Sequence, residues 1–264
     1  MKLPRKNISL HDRRAYSNRI LTIKDYKTIM ALSSITKKLI MSISGLFLIV
    51  FLLLHMTINC FSVIDSINGT YGAAEGLFAK GCEFMALPIV TIMVPVLAAG
   101  FIVHIIYALI LSYGNYKARG VERYAVANKT KAEWASKNML LLGVIVLGLV
   151  AFHLNHFWAD MQLKEFQGHH AENPYVLLNA TFKSVWMTAL YVVWFVALGL
   201  HLCHGFWSAF QSMGLSNKIW EKRLTYIGYF FIAVIVLGFA AVAVNACLQA
   251  NGLIGCTTAC CGCC

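Results

Sequence analysis

Charge is scarce in this sequence: Asp, Glu, Lys and Arg make up 12% of 264 residues, and only 11 residues are acidic. With 59% hydrophobic residues and a mean hydropathy of +0.68, that scarcity excludes an ordinary soluble domain. A disulfide framework is also missing. Cys60, Cys82, Cys203 and Cys247 are scattered, and the other five of the nine cysteines crowd the last nine residues. No short basic stretch leads into an apolar signal-peptide core, because the first long apolar run begins near Leu39 behind a polar, basic arm. The N-terminus is therefore expected to be retained. A chain of this length holds about five spans of roughly 20 residues and leaves no room for a separate catalytic domain of ordinary size. It reads as an all-α integral membrane protein, one unit of a larger assembly.

What is present is a series of apolar runs bounded by charge: Leu39 to Val63, Met85 to Tyr113, Asn138 to Trp158, Ser184 to Met213 and Leu224 to Leu248. The domain reading is a basic arm over 1–38, a five-helix unit over 39–248 and a cysteine-rich tail over 249–264. Of the 22 Lys and Arg residues, ten precede the first span, six lie between the second and third, and three between the fourth and fifth. Only Lys80, Lys164 and Lys183 fall on the other side. By the positive-inside rule the N-terminus is cytoplasmic and the C-terminus outside. The net charge of +11 is thus topology signal, not a sign of nucleic-acid binding. The arm is long enough to meet a partner or anionic lipid headgroups. The longer outer loops, 64–84 with its Asn68-Gly69 turn and 159–183 with Asn173-Pro174, are placed to cap a site on the outer face.

Six histidines lie in or at the ends of the first four spans, namely His55, His104, His153, His156, His201 and His204, while the fifth span has none. A lone intramembrane histidine is more often a hydrogen-bonded structural residue, but at least one on each of four successive helices points to a cofactor. Successive members recur after 49, 49 and 48 residues (55, 104, 153, 201). Depth pairs them. His55 and His153 lie 17 and 16 residues beyond Lys38 and Lys137, toward the outer ends of outward-running helices. His104 and His201 each stand 13 residues before Lys117 and Gly214, nearer the cytoplasm. Two imidazole pairs at two depths suit two bis-histidine haems b, whose iron keeps no open position for a substrate. The apolar runs contain no Asp or Glu, which disfavours zinc or copper sites and a proton-coupled transporter. His156 and His204, each three residues beyond a chosen ligand, are alternatives to it. Gly45, Gly100, Gly143, Gly148, Gly199 and Gly205 suit a closely approaching ring or equally plain helix packing.

Four stretches carry a resemblance: SSITKKLIMSISGLFLIVFLLLHM at 33–56, HIIYA at 104–108, RYAV with WASKNM within 123–139, and HLCHGFWSAFQSMG at 201–214. The chain resembles the single-chain, five-helix, diheme cytochrome b membrane anchor of succinate dehydrogenase and fumarate reductase, in its Bacteroidetes-like form. The resemblance implies an electron-transfer subunit of a succinate:quinone oxidoreductase in the bacterial inner membrane. His104 and His201 would hold the proximal haem, near an iron-sulfur subunit, and His55 and His153 the distal haem, near a quinone, expected to be menaquinone. FAD and the iron-sulfur clusters would belong to the flavoprotein and iron-sulfur partners, so the dicarboxylate chemistry lies outside this chain. Ser42, Trp134 and Ser136 are candidate propionate partners, or else interface anchors and caps. Glu75, Glu83 or His156 could serve the quinone carbonyl. Some diheme fumarate reductases have a glutamate near the fourth-helix ligand at the position of Gly199, a departure that argues against compensating transmembrane proton transfer here. The Cys256–Cys264 tail lies outside the family pattern and reads as an idiosyncratic end. Alternatives are the b-type quinone cytochrome of a formate dehydrogenase or hydrogenase, against which the 201–214 motif speaks, and a haem-free anchor or transporter.

Overall fold

The computed structural model describes residues 33–119, 134–215 and 217–254. The basic arm up to residue 32, the second-loop residues 120–133 and the tail from 255 lie outside the described residues.

Among the described residues, which are helical apart from turns, five long apolar helices are each able to cross a membrane, as in a multi-pass membrane protein. They are α1 (Ser34–Asn68), α4 (Met93–Arg119), α6 (Met139–His153), α9 (Val185–Ser212) and α10 (Lys218–Ala250). Between them stand α2 (Leu77–Met85), α3 (Pro88–Thr91), α5 (Trp134–Lys137), α7 (Lys164–Phe166) and α8 (Pro174–Phe182), with a π-helix over Leu154–Leu163. Neighbours run in opposite directions: Gly205 near the end of α9 meets Met139 at the start of α6. Asn245 of α10, by contrast, meets Ser62 of α1 near both C-terminal ends. Lys37 and Lys38, Lys117, Lys137, and Lys222 and Arg223 therefore gather at one end of the bundle, called the basic end below.

Several helices outrun the apolar patterns, and local chemistry explains where they begin and end. α1 starts five residues before Leu39 because the Ser33 hydroxyl caps it, accepting from the Thr36 amide at 3.1 Å. It ends at Gly69, whose φ of +75° is open to glycine at little cost. Asn217 likewise opens α10 six residues before Leu224 by accepting from Ile219 and Trp220. The second apolar run does not begin at Met85, which closes α2. Pro88 cannot donate to a preceding turn, so a fresh helix starts there. The third helix continues past Trp158 to Phe166 through the π segment. The outer connections are thus largely helical: Asn68-Gly69 is a helix end, and Asn173-Pro174 is the N-cap and first turn of α8.

One buried cluster joins Ile58, Phe78, Tyr175, Leu178, Phe182, Tyr191, Val242 and Ala246 at the end away from the basic residues. A second, of Ile49, Leu198, Leu202, Ile232 and Ile235, fills the space between α1, α9 and α10. By contrast, the most apolar window of the second span has no buried residue, and α4 packs chiefly on α1.

α1 also carries Asp65, beyond the run that ends at Val63. It is fully buried and lies where the sequence pattern places an outer loop. Its carboxylate accepts from the amides of Leu77 and Phe78, both at 2.8 Å, from the Tyr175 hydroxyl at 2.6 Å and from Thr70 at 3.0 Å. Two of these are orphan amides at the start of α2, where negative charge is favoured. One carboxylate thereby clasps α1, α2 and α8 together.

Candidate functional site: two histidine pairs

The four recurrent histidines come together as two pairs. At the inner level, toward the basic end, the His104 and His201 rings lie 6.4 Å apart, centre to centre, at 69°. At the outer level His55 and His153 lie 5.5 Å apart at 81°. The separation of the levels follows from two glycines. A β-carbon on Gly45 would stand 3.3 Å from His104 Cε1, and one on Gly143 3.6 Å from His201 Cε1, so these glycines mark the inner level on α1 and α6. His55 and His153 each follow ten residues later (55 − 45 and 153 − 143). At about 1.5 Å per residue, the pairs are about 15 Å apart along the helices.

The surroundings differ with depth. His55 stacks on Phe51 at 5.5 Å and 14° and approaches Phe239 at 5.9 Å, while His153 lies 5.3 Å from Phe157. Asn59, one turn beyond His55, donates to the His55 carbonyl at 2.8 Å, with its amide nitrogen 3.5 Å from His55 Nε2. At the inner level, the buried Ser44 places its hydroxyl 3.3 Å from His104 Nδ1 and 3.0 Å from the Met41 carbonyl. His201 Nδ1 is the one buried side-chain nitrogen or oxygen among the described residues with no hydrogen-bond partner.

His156 and His204 point elsewhere. The π-helix begins directly after His153, and its i→i+5 bonding turns the chain less per residue than an α-helix does. Residues three apart, which would share an α-helical face, are thereby swung apart. His156 instead meets the buried Tyr191 of α9, with Nδ1 3.1 Å from the phenol oxygen. His204 lines a cavity of about 160 Å³ between α9 and α10, with Trp207, Glu221, Thr225 and Tyr229.

Among the other candidates, Ser42 is buried and donates to the Lys38 carbonyl at 2.8 Å, so its single proton is engaged within α1. Trp134 opens α5 and is 60% exposed, and Ser136 is half-buried beside it. Glu75 and Glu83 are exposed near the outer end. Gly199 is buried against Val236, whose methyl would stand 2.9 Å from a β-carbon there.

The donor set fits a metal held between two imidazoles. With metal–nitrogen bonds of about 2 Å, the ring centres of such a pair stand roughly 6 Å apart. The inner pair already has that spacing, and the outer pair reaches it by opening roughly half an ångström. No three His, Cys, Asp or Glu side chains among the described residues converge as a metal site, so each pair offers two nitrogens and a macrocycle would supply the rest. Gly45 leaves room where a β-carbon would press on a ring, Gly143 lies at ordinary contact distance from the other, and His201 Nδ1 marks an imidazole whose polar valence nothing among the described residues meets.

Sequence reasoning passed over Ser44, Asn59, Asp65 and the weight of Gly45 and Gly143. The identical glycine-to-histidine spacing in the first and third spans was a usable signal for the two glycines. Compared with known protein families, with curated proteins and with solved structures, the chain gives no match.

Proposed function

We propose that this chain is the membrane-anchor cytochrome b subunit of a succinate:quinone oxidoreductase, passing electrons between an iron-sulfur partner and a membrane quinone through two haem b groups. The observation that carries the reading is the geometry of the pairs: two imidazoles close together at each of two depths, about 15 Å apart, with no third metal-binding side chain among the described residues at either. Haem b bound there supplies one-electron exchange at an iron with both axial positions filled.

In this reading His104 and His201 hold the inner group and His55 and His153 the outer one. Gly45 and Gly143 let α1 and α6 approach the inner imidazoles, and Phe51, Phe157 and Phe239 keep water from the outer ones. His156 and Tyr191 form a hydrogen-bonded pair at the outer level, with His156 Nδ1 3.1 Å from the phenol oxygen. The basic end would face the cytoplasm and the iron-sulfur and flavoprotein subunits, with FAD and dicarboxylate chemistry confined to those partners. The far end would lie toward the outer leaflet, where menaquinone exchanges electrons. This places the chain in a bacterial inner membrane, N-terminus inside and C-terminus outside, a topology supported by the 19 to 3 division of basic residues. The resemblance at 33–56 and 201–214 supports the choice of succinate:quinone oxidoreductase over other quinone cytochromes.

The test is a reduced-minus-oxidised spectrum with pyridine haemochrome quantitation on the purified chain or complex, together with identification of what co-purifies. Two haems b per chain, with a flavoprotein and an iron-sulfur protein, are expected. A preparation without haem would overturn the electron-transfer reading and leave a plain anchor or transporter.

A further inference from the structure

We infer that Ser44 is a positioning residue for His104, holding the imidazole as the tautomer protonated on Nδ1 so that Nε2 carries the lone pair offered to iron; the inference rests on the two-haem reading above. The Ser44 hydroxyl has one proton and two candidate partners, the Met41 carbonyl at 3.0 Å and His104 Nδ1 at 3.3 Å. With the proton on the shorter of the two bonds, to the Met41 carbonyl, the oxygen presents its lone pairs to the imidazole. Facing that oxygen, Nδ1 is the ring nitrogen that carries the hydrogen. Nε2 is left unprotonated, as a metal ligand must be.

His104 lies against the α1 backbone at Gly45, and its own helix packs chiefly on α1. The bond from Ser44 thus joins two helices as well as selecting a tautomer. The opposing ring lacks such a device: His201 Nδ1 is buried and unpartnered. The inner site is accordingly asymmetric, with one imidazole oriented before the metal arrives and the other free to adapt. Hydrogen bonding at Nδ1 also makes a ligating imidazole more electron-rich, which favours ferric over ferrous iron.

The test uses the full chain in its membrane complex, with Ser44→Ala, Ser44→Thr and Thr57→Ala. Thr57 is a control that removes a hydroxyl bonded to the Leu53 carbonyl at an exposed position on the same helix. Low-spin ferric EPR and a redox titration read the two haems separately, with His104→Ala assigning the inner signals. Ser44→Ala is expected to shift the inner g-values and raise the inner midpoint potential while the outer haem stays as in the native protein. Ser44→Thr and Thr57→Ala should both resemble the native protein. If Ser44→Ala loses the inner haem outright, Ser44→Cys, near-isosteric and only weakly hydrogen-bonding, is expected to keep it with shifted signals. Native-like inner signals in Ser44→Ala, equal shifts at both haems, or a Ser44→Thr variant matching Ser44→Ala would each overturn the inference while leaving two haems per chain. A native chain without haem would overturn the two-haem reading, and this inference with it.

Discussion

Gly45 of α1 lies beneath His104 of α4 so closely that a β-carbon there would stand 3.3 Å from the imidazole Cε1. The matching distance from Gly143 to His201 is 3.6 Å, an ordinary contact. Gly45→Ala should therefore press on the ring and lower inner haem occupancy, whereas Gly143→Ala should be nearly silent. Valine at either position should deplete the inner haem and spare the outer. Haem b per chain, measured beside the helical circular dichroism of the same sample, checks the order Gly45→Val, Gly45→Ala, Gly143→Ala from most to least affected.

The pairing itself makes a sharper prediction. His55→Ala and His153→Ala should each remove the same haem, the outer one, and His104→Ala and His201→Ala should each remove the other. Haem content should fall from two to one in every case. Loss of one spectral species in both His55→Ala and His104→Ala would contradict the two-level arrangement. His156→Ala should retain both haems, because its ring is bonded to Tyr191 and not directed at His55.

The clasp at Asp65 should govern the outer end independently of any haem. Asp65→Ala leaves the buried Phe78 amide and Tyr175 phenol without their acceptor, at about 1–3 kcal/mol for each unmet donor, and frees the part-buried Leu77 amide as well. Hydrogen exchange at the Leu77 and Phe78 amides should quicken well before α9 is affected. Burial first, and then the bond to Asp65, push the Tyr175 phenol above its usual range. A group raised in the folded state adds stability that is present below its ordinary value, about 10, and lost as pH climbs above it. The clasp should hold through neutral pH and loosen in alkali, and Tyr175→Phe should lose that alkaline response.

Gly199 tests whether a carboxylate can be restored at the position that carries one in some diheme fumarate reductases. The Val236 methyl of α10 already occupies the space, 2.9 Å from where a β-carbon would be. Gly199→Glu should push α10 aside and bury a charge, lowering the yield of folded, haem-bearing protein, and Gly199→Ala should cost about 1–3 kcal/mol of overpacking. A paired Gly199→Ala, Val236→Ala variant should recover part of the loss in detergent thermal stability.

How far the site was legible depended on the kind of signal. Histidines stand out in apolar runs because an ionisable group in a bilayer needs a reason, and their depth can be counted from flanking charges. Ser44 and Asn59 carried no such contrast, since hydroxyl and amide side chains in membrane helices commonly bond to their own backbone, as Thr57 does here. Asp65 was read as part of a loop because helix ends are set by caps such as Gly69 and not by hydropathy.

The order of apolar and basic segments by itself determined the five spans, their alternation and the depth of each histidine. These depend only on backbone hydrogen bonding in lipid, on the rise of a helix and on the division of charge. Tertiary structure alone decided that His153 and not His156 faces His55, that Ser44 reaches His104 across 60 residues of chain, and that Asp65 gathers three helices. Those outcomes depend on rotation about helix axes and on a π segment that redirects one side chain, both of which are set when helices pack against one another.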